Sequence, residues 1–486
     1  MTTRVPYSMT DAPVNAKAFG AKGDGIANDT AAIQAAVAAC PSGGTLLLPP
    51  GKYKITDQIL LTKPITVKGG GISNVFGDYT ASSDDYFAGV WQTTAGKPAF
   101  KLVASLGNYA FNAYGILGVN FQDLQIVGPS SSSYAVAAIT TDTTVNAGDY
   151  HIRHCHLTNV AIRYFTTGVD FTGIAYLNVF TDCLVYACTT GIKIAKGAAS
   201  DNGGQTRFFG CTVALCGTCV SLNEDGSAGS FAFFGCTLSE SQYGIRAHEE
   251  CVLTVTGCEF ESLTNSGTGA GIYVEIKEAN PNSGAAKTIV GNKFLTNDAD
   301  IWVNKTTSAF AGGGFAWPML IDGNTLNSTT ALKVTVPSGH VGLDSPQFVL
   351  GAANAGTSGP LASSQVSANF FGHDARKRRI TRRYTIPSTW TSGATVDVLP
   401  IGMVLQTVRV YLTANASGFT ALQLGHQTTA TAYAFFDAQA GALNTWTTYT
   451  STLGLVLTDS TNRLVLGGSA GWLSTQCVIE VDGYVP

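Results

Sequence analysis

The residues of this 486-residue chain best suited to chemistry are acids, cations and aromatics gathered between positions 223 and 304. Glu249 and Glu250 follow His248, and Glu275 lies further along between Tyr273 and Trp302. Cleavage of a glycosidic bond requires one protonated acid and one carboxylate. They stand about 5–5.5 Å apart for retention of configuration and about 6.5–9.5 Å apart for inversion. Crowding raises the pKa of one acid in such a set, as a proton donor needs. Glu275 with Glu249 or Glu250 is the leading candidate set, and Glu240, Glu259 and Glu261 form a second. The competing chemistry is β-elimination, in which Arg246, Lys193 or Lys333 neutralises a uronate and His248 or Tyr273 takes the proton. A surface that binds sugar without cutting it is the third reading.

These residues sit in a repeat. The segments DCLVYACTTGIKI, GCTVALCGTCVSL, GCTLSESQYGIRA and GNKFLTNDADIWV can be laid over one another, with anchors at Cys155, Cys183, Cys211, Cys236, Cys258, Asn292 and Asn324. Short β-rich segments repeated every 20–35 residues or so predict one solenoid coil per repeat. Strand alternation then places Ile192, Val220, Ile245, Ile272, Ile301 and Leu332 inside. Lys193, Ser221, Arg246, Tyr273, Trp302 and Lys333 follow outside, and two residues later come Ala195, Asn223, His248, Glu275, Asn304 and Thr335. In that ribbon Tyr273 and Trp302 offer ring faces to sugars. Arg246, His248, Asn223 and Asn304 offer polar contacts, with Glu224 and Asp225 in a turn beside them. The aligned cysteines read as small core residues. A zinc site is not favoured, because no CxxC pair is matched by a second at zinc spacing. The expected metal and cofactor content is none.

Composition narrows the rest. Charged residues make up 12% against a usual share of about 25%. A net charge of -4 gives no general attraction to nucleic acid. No strongly apolar run of about 18 residues predicts a membrane span, and the first residues lack the apolar core of a secretory signal. Eleven cysteines, an odd number, favour buried thiols over a disulfide scaffold. The predicted organisation is a leader at 1–13, an opening segment at 14–104, coils and a linker at 105–375, and an all-β domain at 376–486. Asp29 is placed to cap a helix whose Ile33, Val37 and Cys40 share one face and cover the first coil. The basic run Arg376, Lys377, Arg378, Arg379, Arg382 and Arg383 reads as a solvated neck or a ring of intersubunit charges. From 384 onward, short alternating strands predict a β-sandwich-like domain.

One stretch is more specific. Ala18-Phe19-Gly20-Ala21-Lys22-Gly23-Asp24-Gly25, Asn28-Asp29-Thr30-Ala31-Ala32-Ile33-Gln34, Gly43-Gly44-Thr45 and Pro49-Pro50-Gly51-Lys52-Tyr53 follow in order. This resembles the start of the pectate-lyase-like superfamily, in particular bacteriophage tailspikes and their depolymerase relatives. The resemblance implies an all-β chain built on a right-handed parallel β-helix with an N-terminal capping helix. It also implies a homotrimer on the virion tail, next to other tail or baseplate proteins, that binds and cleaves bacterial surface polysaccharide. Endoglycosidic hydrolysis is the expected activity, and lyase action or pure adhesion the alternatives.

Overall fold

Two sharp corners recur along the stack, and residues in the left-handed backbone conformation make most of them. At the first corner these are Asp123, Asn159, Asp182, Gly210, Gly235, Gly257, Gly291 and Gly323. Glycine and short polar residues are the types that tolerate positive φ. The residue after each is buried: Leu124, Val160, Cys183, Cys211, Cys236, Cys258, Asn292 and Asn324. The second corner uses Tyr164, Ala187, Leu215, Glu240, Ser262 and Thr296. Cys155 does not head the cysteine ladder as the sequence predicted. Its amide donates to Asn178 Oδ1 at 3.0 Å, which stacks it at an earlier corner. Val160 stands beside Cys183 instead, in the register Ala161 to Leu184. The step from Cys155 to Cys183 equals the step from Cys183 to Cys211, so spacing alone gave no warning.

This computed structural model describes residues 12–72, 89–103, 114–130, 134–142, 150–195, 204–222, 229–277, 285–306, 319–335 and 343–350, then shorter stretches at 354–356, 359–360 and 370–374 and the strands from 378 onward. Stacked coils form a parallel β-helix, in which a 21-stranded sheet and a ten-stranded sheet run along the stack. The ten strands are β1 (Ile59–Leu61), β2 (Phe100–Leu102), β3 (Ala135–Thr141), β4 (Phe165–Thr172), β5 (Thr190–Ala195), β6 (Thr218–Leu222), β7 (Tyr243–His248), β8 (Ala270–Ile276), β9 (Ile301–Lys305) and β10 (Leu332–Thr335). Each pairs in parallel with the next. Inside, Phe180, Phe208 and Phe233 stack at centroid distances of 4.8 and 4.4 Å, and Phe260 stacks on Phe294 at 4.7 Å. Asn292, Asn324 and Asn354 continue the cysteine position as a buried amide ladder, each side chain satisfying the next.

Helix α1 (Thr30–Ala39) buries Ile33 and Val37, and Cys40 follows, as predicted. Asp29 departs from its expected role, because its carboxylate accepts from the Lys22 and Gly23 amides rather than from α1. Asn28 Oδ1 takes the Thr30 amide instead. Gln34 supplies the missing strand at the edge of the sheet. Its amide accepts from Leu60 N at 2.8 Å and donates to Leu60 O at 3.1 Å, which closes the edge of β1 against pairing with another chain.

The chain divides into two compact units, Met1–His373 and Asp374–Pro486. The second contains two four-stranded antiparallel sheets. Of the basic run, Arg378, Arg379, Arg382 and Arg383 lie in the strand Arg378–Ile386, paired antiparallel with Cys477–Val485. Arg376 and Lys377 fall outside the described residues, as does the leader up to residue 11.

Candidate functional site

Strand pairing reproduces the predicted ribbon. Lys193, Ser221, Arg246, Tyr273, Trp302 and Lys333 are direct neighbours from β5 to β10. His248, Glu275, Asn304 and Thr335 are in register two residues later. Asn223, Glu224 and Asp225 lie outside the described residues.

Glu275 is the centre of the row. Its side chain is 10% exposed, and its Oε2 lies 3.0 Å from Arg246 and 3.2 Å from Lys277. The Arg246 guanidinium also lies over the Tyr243 and Tyr273 rings at 5.7 and 5.6 Å. Tyr273 is buried, contrary to its expected role as an open platform. It contacts Tyr243 at 4.9 Å and meets Trp302 edge-on at 5.1 Å, and its hydroxyl accepts from Asn304 Nδ2 at 2.6 Å. Burial raises its phenol pKa. Trp302 is half-buried, donates to Thr335 Oγ1 at 3.0 Å and carries the Lys333 ammonium 3.6 Å from its ring centre. Lys333 reaches on to Gly267 O at 3.2 Å. Ligand access to the Trp302 face therefore requires Lys333 to move.

Two further expectations fail. His248 is fully buried, because β7 ends there and the chain folds over it. Glu249 is 2% exposed, and its Oε2 accepts from the Lys277 amide at 2.7 Å. It closes a turn and does not face the groove. Neither His248 nor Tyr273 is placed to take a proton from a bound sugar. Glu250 is the half-exposed acid of that turn.

The second acid set is brought together on the adjacent short-strand face. Thr237 pairs with Glu259 and Ser239 with Glu261, while Glu240 occupies the corner and donates its amide to Glu261 O. Glu259 is bound by Lys293 at 2.8 Å. Glu240 and Glu261 are exposed and form no ion pair among the described residues. No group of three or more metal-binding side chains is found among those residues. Sequence reasoning missed Tyr243, Lys277, Lys287 and Lys305. Strict alternation does not reach Tyr243, because Gly244 and Ile245 are both buried.

The family model described as rhamnogalacturonase A/epimerase, pectate lyase-like, matches residues 13–199. Over those residues the chain is similar to that family. Mannuronan C5-epimerase AlgE5 of Azotobacter vinelandii is 54% identical over 44 residues, which make up 9% of this chain and 4% of that protein. The chain thus spans a small fraction of that relative's length. Among solved structures, the catalytic unit of the thermostable GH87 alpha-1,3-glucanase from Streptomyces thermodiastaticus strain HF3-3 aligns with a TM-score of 0.50. Its identity is 15%, covering 75% of this chain and 67% of that one. The Dettilon tailspike protein aligns with a TM-score of 0.49 at 14% identity, covering 97% and 94%. The β-helix presents its row of aromatic, basic and acidic side chains on one continuous sheet face.

Proposed function

We propose that this chain is a depolymerase of bacterial surface polysaccharide (capsule, exopolysaccharide or O-antigen), carried on a phage tail and acting by endoglycosidic hydrolysis. The observation that carries the reading is the row on β7 to β10. Glu275 forms its floor, Arg246 and Lys277 grip that carboxylate, and two residues earlier on the same strand Tyr273 lies between Tyr243 and Trp302. Two cations on one oxygen orient Glu275 as the carboxylate of the pair, the base or nucleophile. Glu250 is the proton donor, and Glu249 keeps its structural place in the turn. Arg246, Trp302 and Asn304 contact the sugar chain.

The test is product chemistry. New reducing ends without an unsaturated, ultraviolet-absorbing sugar are expected from a surface polysaccharide. An unsaturated end would transfer the reading to β-elimination, and saturable binding with neither product would make the chain an adhesin. Trp302→Ala should weaken glycan binding about tenfold, the loss of one aromatic contact of about 1–1.5 kcal/mol, with an unchanged fold. The exposed Glu240 and Glu261 favour a second reading, in which that face does the hydrolysis.

The chain is also proposed to act as a homotrimer beside other tail or baseplate proteins. Its support is the outer face of the strands Thr206–Phe209, Gly229–Phe234, Cys251–Thr256 and Met319–Asp322. There Phe209 stacks on Phe234 at 5.2 Å, and Val252 and Leu320 are exposed. Burial of such a face between copies removes apolar area from water.

A further inference from the structure

Lys287 is buried to 1% exposure at the start of the strand Lys287–Val290. Its ammonium donates to the carbonyl oxygens of Glu249 at 2.6 Å, Cys251 at 2.9 Å and Ala285 at 2.8 Å. All three protons of the group are therefore used. Two of the three acceptors flank Glu250 in the short turn between His248 and Cys251. The turn continues into the row. Glu249 N donates to Glu275 O at 3.0 Å, Lys277 N donates to Glu249 Oε2, and the Lys277 ammonium binds Glu275. Lys305, at the end of β9, is also within the field of Glu249. A cluster of inward-turned carbonyls is the kind of seat that hard cations occupy, and here the chain fills it with a side chain of its own.

We propose that Lys287 is the resident cation of this corner, a positioning residue whose ammonium organises the His248–Cys251 turn and through it the placement of Glu250 and Glu275. The link to cleavage rests on the functional reading above; the organisation of the turn does not. Lys287→Ala leaves a channel one propyl chain long that ends in three carbonyls. At pH 6, amide exchange at Glu249, Glu250 and Val252 should quicken at least about tenfold in this variant. Millimolar propylammonium should slow it again and raise the melting temperature, while 1-propanol should not. Lys287→Met keeps the stem without the charge and carries the same exchange measurement if the alanine variant does not fold. Equal protection by propylammonium and propanol, or native exchange in Lys287→Met, would overturn the assignment. On a polysaccharide that the native protein cleaves, Lys287→Met should lower kcat about tenfold with KM within about twofold; unchanged kcat would remove the positioning role. A native protein that cleaves nothing would bring down the functional reading alone, and exchange would still decide the role of Lys287.

Discussion

Replacing Glu275 with glutamine separates charge from shape. The amide keeps an oxygen for Arg246 and Lys277, which lie 3.0 and 3.2 Å from the native Oε2, but it removes the negative charge between them. The effects on folding and on rate differ in size. For folding, two charge-assisted hydrogen bonds become ordinary ones, a loss of about 1 kcal/mol each. With a carboxylate only 10% exposed, solvent screens little of that. A total near 2 kcal/mol leaves a folded protein, given stabilities of about 5–15 kcal/mol. For the reaction, loss of an acid–base group costs about 10²–10⁴-fold in rate, or roughly 3–5.5 kcal/mol of barrier. The assay is initial-rate formation of reducing ends at limiting and saturating polysaccharide, alongside thermal melting. Glu275→Gln and Glu250→Gln should lose rate by these factors, with the melting temperature of Glu275→Gln lower by only a few degrees, as a loss near 2 kcal/mol implies. Glu249→Gln should act mainly on stability, since its carboxylate closes a turn. Near-native turnover in Glu275→Gln, with collapse in the Glu240, Glu259 or Glu261 amide variants, would refute the argument and move the chemistry to the short-strand face.

Stability should rise with pH through Lys287. Burial pushes its pKa down to about 7, whereas the unfolded chain keeps the proton to about 10.4. Between those values the unfolded state binds more protons, so stability is greatest above about 10.4 and declines as pH falls towards 7, below which the folded chain holds the ammonium and its three hydrogen bonds. The limiting slope is about 1.4 kcal/mol per pH unit, and denaturation of Lys287→Met should lack it. Cys236→Asp should destabilise by about 3 kcal/mol or more in denaturant titration, because Cys236 is 3% exposed and an acid there has no counterion. Native thiol labelling of Cys155, Cys183, Cys211, Cys236 and Cys258 should be slow, and burial pushes the Cys155 thiol up to about 12; rapid modification would contradict their core role. Light scattering at micromolar concentration should give a trimer, and a stable monomer would remove the proposed use of the Phe209–Phe234 face.

The row was legible because its rungs obey strict alternation around Ile192, Ile245, Ile272 and Ile301, and parallel pairing preserves that parity from coil to coil. Parity fails where a strand ends. His248 and Glu249 lie at such an end, and burial there depends on how the chain crosses over, which local pattern does not encode. Lys287 was invisible for a different reason. A lysine at a strand start reads as solvated, and only the arrival of two carbonyls from a turn almost forty residues earlier, beside that of Ala285, makes it internal. Tyr273 was assigned to the correct face, but its neighbours Tyr243 and Trp302 are large enough to cover it. The cysteine ladder was read correctly from Cys183 onward and misplaced at Cys155, where equal steps concealed a change of corner.

The corners also determine where the chain can lengthen. From the coil of Gly210 to that of Gly323, the first corner always takes two residues, 210–211, 235–236, 257–258, 291–292 and 323–324. The connections leaving the ten-stranded sheet follow no such rule: residues 223–228, 249–250, 277–286 and 306–318 differ several-fold in length. An insertion at the first corner would displace every later rung. An insertion after β6, β7, β8 or β9 displaces none, since the next strand re-enters the same register. Inherited length changes are thus expected to accumulate at this edge more than at the first corner, beside the row that carries Glu275, where lineages can diverge in what they recognise while the packed interior stays under purifying selection.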